Sequence, residues 1–198
     1  MHQARPETAA ASYSYLRGLF LVPQGALLLL SALANAKTGP FDAAWAFPVA
    51  AAACGAVALL VQRHYREHYG RMTPSARQAT RDLITLGIAV AVMLVGALLL
   101  RSRASWSLDL PVNAIAVAYA IVMLVHYGMG AGLRVHHVVL WGAVLLVGAI
   151  PVWNGGDPSL AGLAISGVAT IVSGLLDHRL FLRAFGPPDA LDRADAGA

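Results

Sequence analysis

Six runs of apolar residues separated by polar stretches organise the chain. They cover about Leu16–Ala36, Ala43–Gln62, Leu83–Leu100, Leu110–Met129, Val138–Trp153 and Leu160–Leu176. A helix rises about 1.5 Å per residue, so crossing a hydrocarbon core of about 30 Å takes about 20 residues, with a range of about 17–25. The first four runs meet that length, and the last two meet it if their helices continue into the interface. The pattern therefore predicts an all-α, polytopic transmembrane bundle of six helices over residues 15–186. Flexible tails are expected at 1–14 and 187–198, where the sequence is polar and lacks periodicity.

Local signals say where two of these helices stop. After the sixth run the chain reads Asp177-His178-Arg179-Leu180-Phe181-Leu182-Arg183-Ala184-Phe185, then Gly186-Pro187-Pro188, a glycine-then-proline terminator. After the second it reads Arg63-His64-Tyr65-Arg66-Glu67-His68-Tyr69, then Gly70. Both helices are expected to extend past the apolar core and end in an aromatic-glycine pair. Thr73-Pro74 then reads as an N-cap with proline at the first helical position.

Charge orients the bundle. Eleven of the fourteen Lys and Arg fall on one side of the expected topology, five of them in the loop after helix two: Arg63, Arg66, Arg71, Arg77 and Arg81. Lys37, Arg101 and Arg103 fall on the other side, so the positive-inside bias places both termini in the cytoplasm. Trp45, Trp106 and Trp153 sit at the expected outer interface, where amphipathic rings anchor. Ala34-Asn35-Ala36 has the small-x-small pattern of a signal-peptidase site. The polar lead is long, however, and the apolar run exceeds the about 7–15 residues of a signal core, so the first helix is expected to be retained.

Composition agrees: 58% of residues are hydrophobic and 12% charged, against about 45–50% and about 25% in soluble domains. Cys54 is single, so no intrachain disulfide is expected. The arginine-rich, lysine-poor bias points to a bacterial protein, hence to the inner membrane. No basic stripe interleaved with aromatics marks a nucleic-acid face.

Packing is expected along small residues, because membrane helices associate through close backbone approach. Gly162, Ser166, Thr170 and Gly174 recur every four residues and form one such stripe. Pro23 and Pro48 would bend their helices if they lay past the first turn, and Gln24 would then satisfy a freed carbonyl.

Chemistry-bearing residues are few. All ten Asp and Glu read as loop, tail or helix-end residues. His126 is the ionisable group nearest a span interior, and with Gln24, Asn113 and Tyr119 it is a candidate polar lining. Every histidine except His2 falls on or near the expected cytoplasmic side: His64, His68, His126, His136, His137 and His178. His64 and His68 lie four apart, on one helix face, as two metal ligands require. With Glu67 they match the H-x-x-E-H pattern of inverzincin proteases, whose further carboxylate ligand and large soluble domain are missing here. His64/His68 and His136-His137 also resemble the cytoplasmic histidine boxes of membrane di-iron hydroxylases. Leu133 stands where an H-x-x-H-H box needs its first histidine, and there is no third box. His64, His68, His136, His137 and His178 are the candidate metal ligands. Nucleotide and nucleophile motifs are lacking, so no catalytic residue is assigned.

The first functional expectation is a non-enzymatic accessory, regulatory or sensor-like bundle, working through its basic cytoplasmic face on a soluble protein partner or on lipid headgroups. A small transporter or channel, acting as a homo-oligomer, is the second. A membrane enzyme carrying haem or a metal on the inner-face histidines is the third.

Overall fold

The computed structural model describes residues 17–37, 39–69, 80, 83, 84, 87, 113–129, 133–149 and 158–186. Five α-helices and two 3-10 turns account for nearly all of them, with no strand among the described residues. A 3-10 turn at Gly18–Phe20 leads into α1 (Leu21–Asn35), and a second at Gly39–Asp42 precedes α2 (Ala46–Tyr69). Three more helices follow: α3 (Ala114–Met129), α4 (Val135–Ala149) and α5 (Pro158–Phe185).

The stretches Gly18–Asn35, Ala46–Tyr69 and Leu160–Phe185 are long and apolar enough to cross a membrane, whereas α3 and α4 are shorter apolar helices. At 15 residues α4 reaches about 22 Å, less than a bilayer core of about 30 Å. Large apolar side chains such as Leu60, Val139, Leu146 and Val168 remain exposed, and the apolar helices point to a membrane protein. The third apolar run lies outside the described residues, apart from Leu83, Ile84 and Gly87, which are helical and exposed.

Helix α2 runs without a break through Tyr69, and α5 through Phe185, as their terminators imply. Gly186 closes α5 in the left-handed conformation (φ 80°), its N–H donating to the Leu182 carbonyl at 2.9 Å. That backbone shape suits glycine and marks a helix C-terminus. Helix α1 begins later than its apolar run, so Pro23 falls in its first turn, and Pro48 likewise falls in the first turn of α2. Neither proline removes a mid-helix bond, and Gln24 is exposed. The expected repair role for Gln24 is therefore withdrawn.

Helix α5 is the hub, packing on α1, α3 and α4. A Cβ on Gly25 would lie 2.6 Å from the Gly167 carbonyl, and one on Gly167 2.8 Å from the Gly25 carbonyl. Gly18 and Gly174 approach each other in the same way two turns along. This is backbone contact that only glycine permits. The stripe expected as one surface is thus divided between partners. Gly174 meets α1, whereas Gly162 meets the Asn113 side chain and Thr170 meets Tyr119. Gly167 and Gly174 lie within about 20° of each other around the helix and are centred about 70° from the midpoint of Ser166 and Thr170, so α5 carries two adjacent lines of small residues.

One end of the bundle collects the start of α1, the end of α2, the α3–α4 turn and the end of α5. There Tyr65 and Phe181 are fully buried, with rings 5.3 Å apart, and Tyr69 donates to the Gly186 carbonyl at 3.2 Å. The aromatic ends of α2 and α5 noted in the sequence are packed against each other.

Candidate metal centre

Helices α3, α4 and α5 each turn one face to the others with the same spacing. The faces are Ala116/Ala120/Met123/Tyr127, His137/Trp141/Val144/Gly148 and Ser166/Thr170/Ser173/Asp177. Steps of four, three and four residues keep side chains on one side of a helix. All twelve residues are buried. Because α4 runs opposite to α3 and α5, Tyr127, His137 and Asp177 fall in one layer at the α3–α4 turn.

Asp177 is the hub of that layer. Its carboxylate is 1% exposed, and both oxygens are engaged. Oδ1 lies 2.9 Å from His137 Nε2 and 3.0 Å from His136 Nε2. Oδ2 accepts from the Tyr127 hydroxyl at 2.8 Å, and the same tyrosine oxygen lies 2.9 Å from Ser173 Oγ. Tyr127 spends its only proton on the carboxylate, so Ser173 is the donor in that second bond. The His137 and Tyr127 rings stack with centroids 3.5 Å apart. A buried carboxylate is tolerated only when it is paired and hydrogen-bonded, and this one has three donors.

The start of α4 sets the imidazoles. Arg134 is its N-cap, its carbonyl accepting from Val138 N–H at 3.1 Å. His137, three residues on, reaches back so that its Nδ1 accepts the Arg134 N–H at 3.4 Å, the reciprocal half of a capping box. That contact leaves Nε2 pointing at Asp177. His136 reaches the same oxygen from the rim, its side chain 22% exposed.

His136, His137 and Asp177 are the group of three metal-ligand side chains found among the described residues, and their donor atoms lie within 4.8 Å of one another. The other candidate ligands do not join them. His178 shares a hydrogen bond with Tyr65 Oη (3.0 Å) on the α2 side of α5. His64 and His68 lie against each other with centroids 4.5 Å apart, and His68 Nδ1 bonds the His64 carbonyl at 3.0 Å. Glu67 of the H-x-x-E-H string pairs with Arg63 at 2.6 Å.

The polar candidates are likewise dispersed. Asn113 is buried at the start of α3. Its N–H donates to the Gly148 carbonyl at 2.7 Å, and its Oδ1 accepts from Ala116 N–H at 3.1 Å. Tyr119 packs on Trp141 (5.7 Å between centroids) and meets Thr170 Oγ1 at 3.3 Å. His126 lies edge-on to Tyr127, with ring centroids 5.5 Å apart. Arg63 and Arg66 are exposed on α2, and Arg71, Arg77 and Arg81 lie outside the described residues.

No family model, no curated protein and no solved structure matches this chain. Function has to be read from the site's own chemistry.

Sequence reasoning singled out His136 and His137 but passed over Asp177, Tyr127 and Ser173. A carboxylate one residue past the last apolar run reads as solvated. The signal that could have found it is the Ser166/Thr170/Ser173/Asp177 spacing, which puts Asp177 on the same side of α5 as three small polar residues.

Proposed function

We propose that the protein is a membrane-embedded metal-handling protein that binds a divalent first-row transition-metal ion through His136 Nε2, His137 Nε2 and Asp177 Oδ1. The observation that carries this reading is the convergence of two imidazole nitrogens on one buried carboxylate oxygen. That oxygen can accept two hydrogen bonds, and both places are taken by imidazole nitrogens that can equally ligate a metal.

The donor set selects the ion class. Two imidazoles and one carboxylate suit Zn²⁺, Fe²⁺ or Mn²⁺, whereas Ca²⁺ and Mg²⁺ prefer all-oxygen cages. Ligand bonds of about 2.0–2.1 Å at tetrahedral angles place neighbouring donors about 3.3 Å apart. The His–Asp separations of 2.9 and 3.0 Å need only open slightly, and a turn of the rim histidine His136 closes the remaining gap. Three protein ligands leave a position open, the arrangement of exchangeable sites rather than closed structural ones. Haem fits poorly, since His136 and His137 are neighbours on one helix and do not face each other across a macrocycle.

The surrounding groups orient the ligands. Tyr127, which itself accepts from Ser173, holds Oδ2 and leaves Oδ1 to the ion. Binding through Nε2 moves the proton of His137 to Nδ1 and gives up the Arg134 contact, which at 3.4 Å is a weak bond.

The same reading sets the site at the cytoplasmic face of a bacterial inner membrane, in a six-helix bundle with both termini inside. Supporting it, Arg17, Arg63, Arg66, Arg134, Arg179 and Arg183 lie at this end of the bundle and Lys37 at the other.

Titration of the purified, metal-stripped protein with Zn²⁺ and with Ca²⁺ tests this reading. One Zn²⁺ per chain is expected, with Ca²⁺ unable to compete and with affinity falling more than about 100-fold in Asp177→Asn. Absence of Zn²⁺ binding, or binding that Asp177→Asn leaves intact, would overturn it.

A further inference from the structure

Beyond Asp177 the shared face of α3, α4 and α5 carries more polar groups than helix packing needs. Thr170 Oγ1 donates to the Ser166 carbonyl at 2.7 Å and reaches Tyr119 Oη at 3.3 Å. Tyr119 in turn lies against the Trp141 ring. Two groups on these helices are fully buried and have no hydrogen-bond partner among the described residues: Trp141 Nε1 and Ser166 Oγ. In a membrane interior no lipid atom can satisfy either group. Buried polar groups are almost always paired, and ordered water serves where protein does not. Trp141 offers only a donor and Ser166 both a donor and an acceptor, so one water accepting from the indole and another bonding the hydroxyl satisfy them.

We infer that the seam running from Asp177 past Ser173 and Trp141, then Tyr119 and Thr170, to Ser166 is hydrated and forms the first half of a route by which the bound ion crosses the membrane. This rests on the metal reading of the His136/His137/Asp177 site and adds transport to it. Asp177 and Ser166 are 11 residues apart, hence about 16 Å along the helix axis, roughly half of a bilayer core of about 30 Å. Past Asp177 the side chains of the seam carry no formal charge, so an ion leaving the ligands meets hydroxyl oxygens and water, with no second carboxylate to trap it. Sites that conduct must bind firmly enough to load and weakly enough to release. At its far end the seam narrows, where Gly148 packs on Ala116 and Val117 and a Cβ on Gly148 would lie 3.0 Å from the Ala116 Cβ.

The full-length protein in liposomes loaded with a Zn²⁺-responsive dye tests the route, with Zn²⁺ affinity and melting temperature measured separately in detergent. The wild type is expected to admit Zn²⁺. Ser166→Ala and Trp141→Phe should each cut the initial rate at least fivefold while Zn²⁺ affinity stays within twofold. Ser166→Ala should also lower the melting temperature, because it removes a partner from a bound water. A dry, unpartnered serine would behave oppositely, and its removal would raise the melting temperature. Stoichiometric binding without flux, flux insensitive to both variants, or a higher melting temperature for Ser166→Ala would overturn the route and leave the metal site standing. Loss of both binding and flux in the wild type would overturn the two together.

Discussion

His137 Nε2 meets Asp177 Oδ1 at 2.9 Å across 40 residues of chain, from helices that run in opposite directions. His137 comes to the carboxylate because it caps its own helix start, and Asp177 because α5 continues about two turns past it. Neither helix end alone makes a site. The antiparallel packing of α4 on α5 turns a capping histidine and an apparently interfacial carboxylate into a buried ligand pair.

Asp177→Ala leaves His136, His137 and Tyr127 without their common acceptor in a buried layer. Breaking a buried charged cluster by removing one partner costs about 3–5 kcal/mol. Denaturation of the metal-free protein in detergent should show a loss of that size. A loss below about 1 kcal/mol would mean that the carboxylate is solvated.

Tyr127→Phe removes the donor to Asp177 Oδ2 and the acceptor of Ser173 while keeping the ring stacked on His137. A stability loss of about 1–3 kcal/mol is expected. Zn²⁺ affinity, read by competition with a chromogenic chelator, should fall about 10–100-fold. An unchanged affinity would show that Tyr127 does not position the carboxylate.

Gly25→Ala and Gly167→Ala place a methyl group against the facing helix backbone at 2.6 and 2.8 Å. Each should destabilise the bundle by about 1–3 kcal/mol through overpacking. Gly55→Ala in α2, with no atom of the described residues within 4 Å of the new Cβ, should be neutral or stabilising by up to about 1 kcal/mol. Thermal melts of the three variants side by side separate packing from helix propensity.

These outcomes bear on what could be seen in the sequence. The helical class, the extension of α2 and α5 and the Gly186 terminator were legible because apolar run length and end signals are local. His136 and His137 were also singled out, as adjacent histidines just ahead of the fifth apolar run. Asp177 was not, because its burial depends on which helix covers the last turns of α5, and no local pattern encodes that. The Gly18/Gly174 and Gly25/Gly167 contacts were missed for a related reason. A four-residue stripe was visible on α5 and included Gly174, but Gly167, seven residues before it, stood outside the stripe, and nothing local pointed to Gly18 and Gly25 as their partners. His64 and His68 show the converse, since correct ligand spacing did not bring them a third ligand among the described residues.

Tyr65→Phe removes the hydroxyl that bonds His178 Nδ1 but leaves the ring packed on Phe181. A stability loss of about 1 kcal/mol is expected, with Zn²⁺ affinity unchanged because this contact lies on the α2 side of α5. A fall in affinity comparable to that of Tyr127→Phe would place His178 in the metal site and contradict the ligand assignment.

X-ray absorption at the zinc edge of the Zn²⁺-loaded protein tests the central claim most directly, because it reports the atoms bound to the ion. The site predicts a first shell of two imidazole nitrogens and one carboxylate oxygen at about 2.0–2.2 Å, with one further light atom. Loss of one imidazole contribution is expected in His137→Ala. A shell of oxygens alone, a sulfur contribution from Cys54, or a spectrum that His137→Ala leaves unchanged would contradict it.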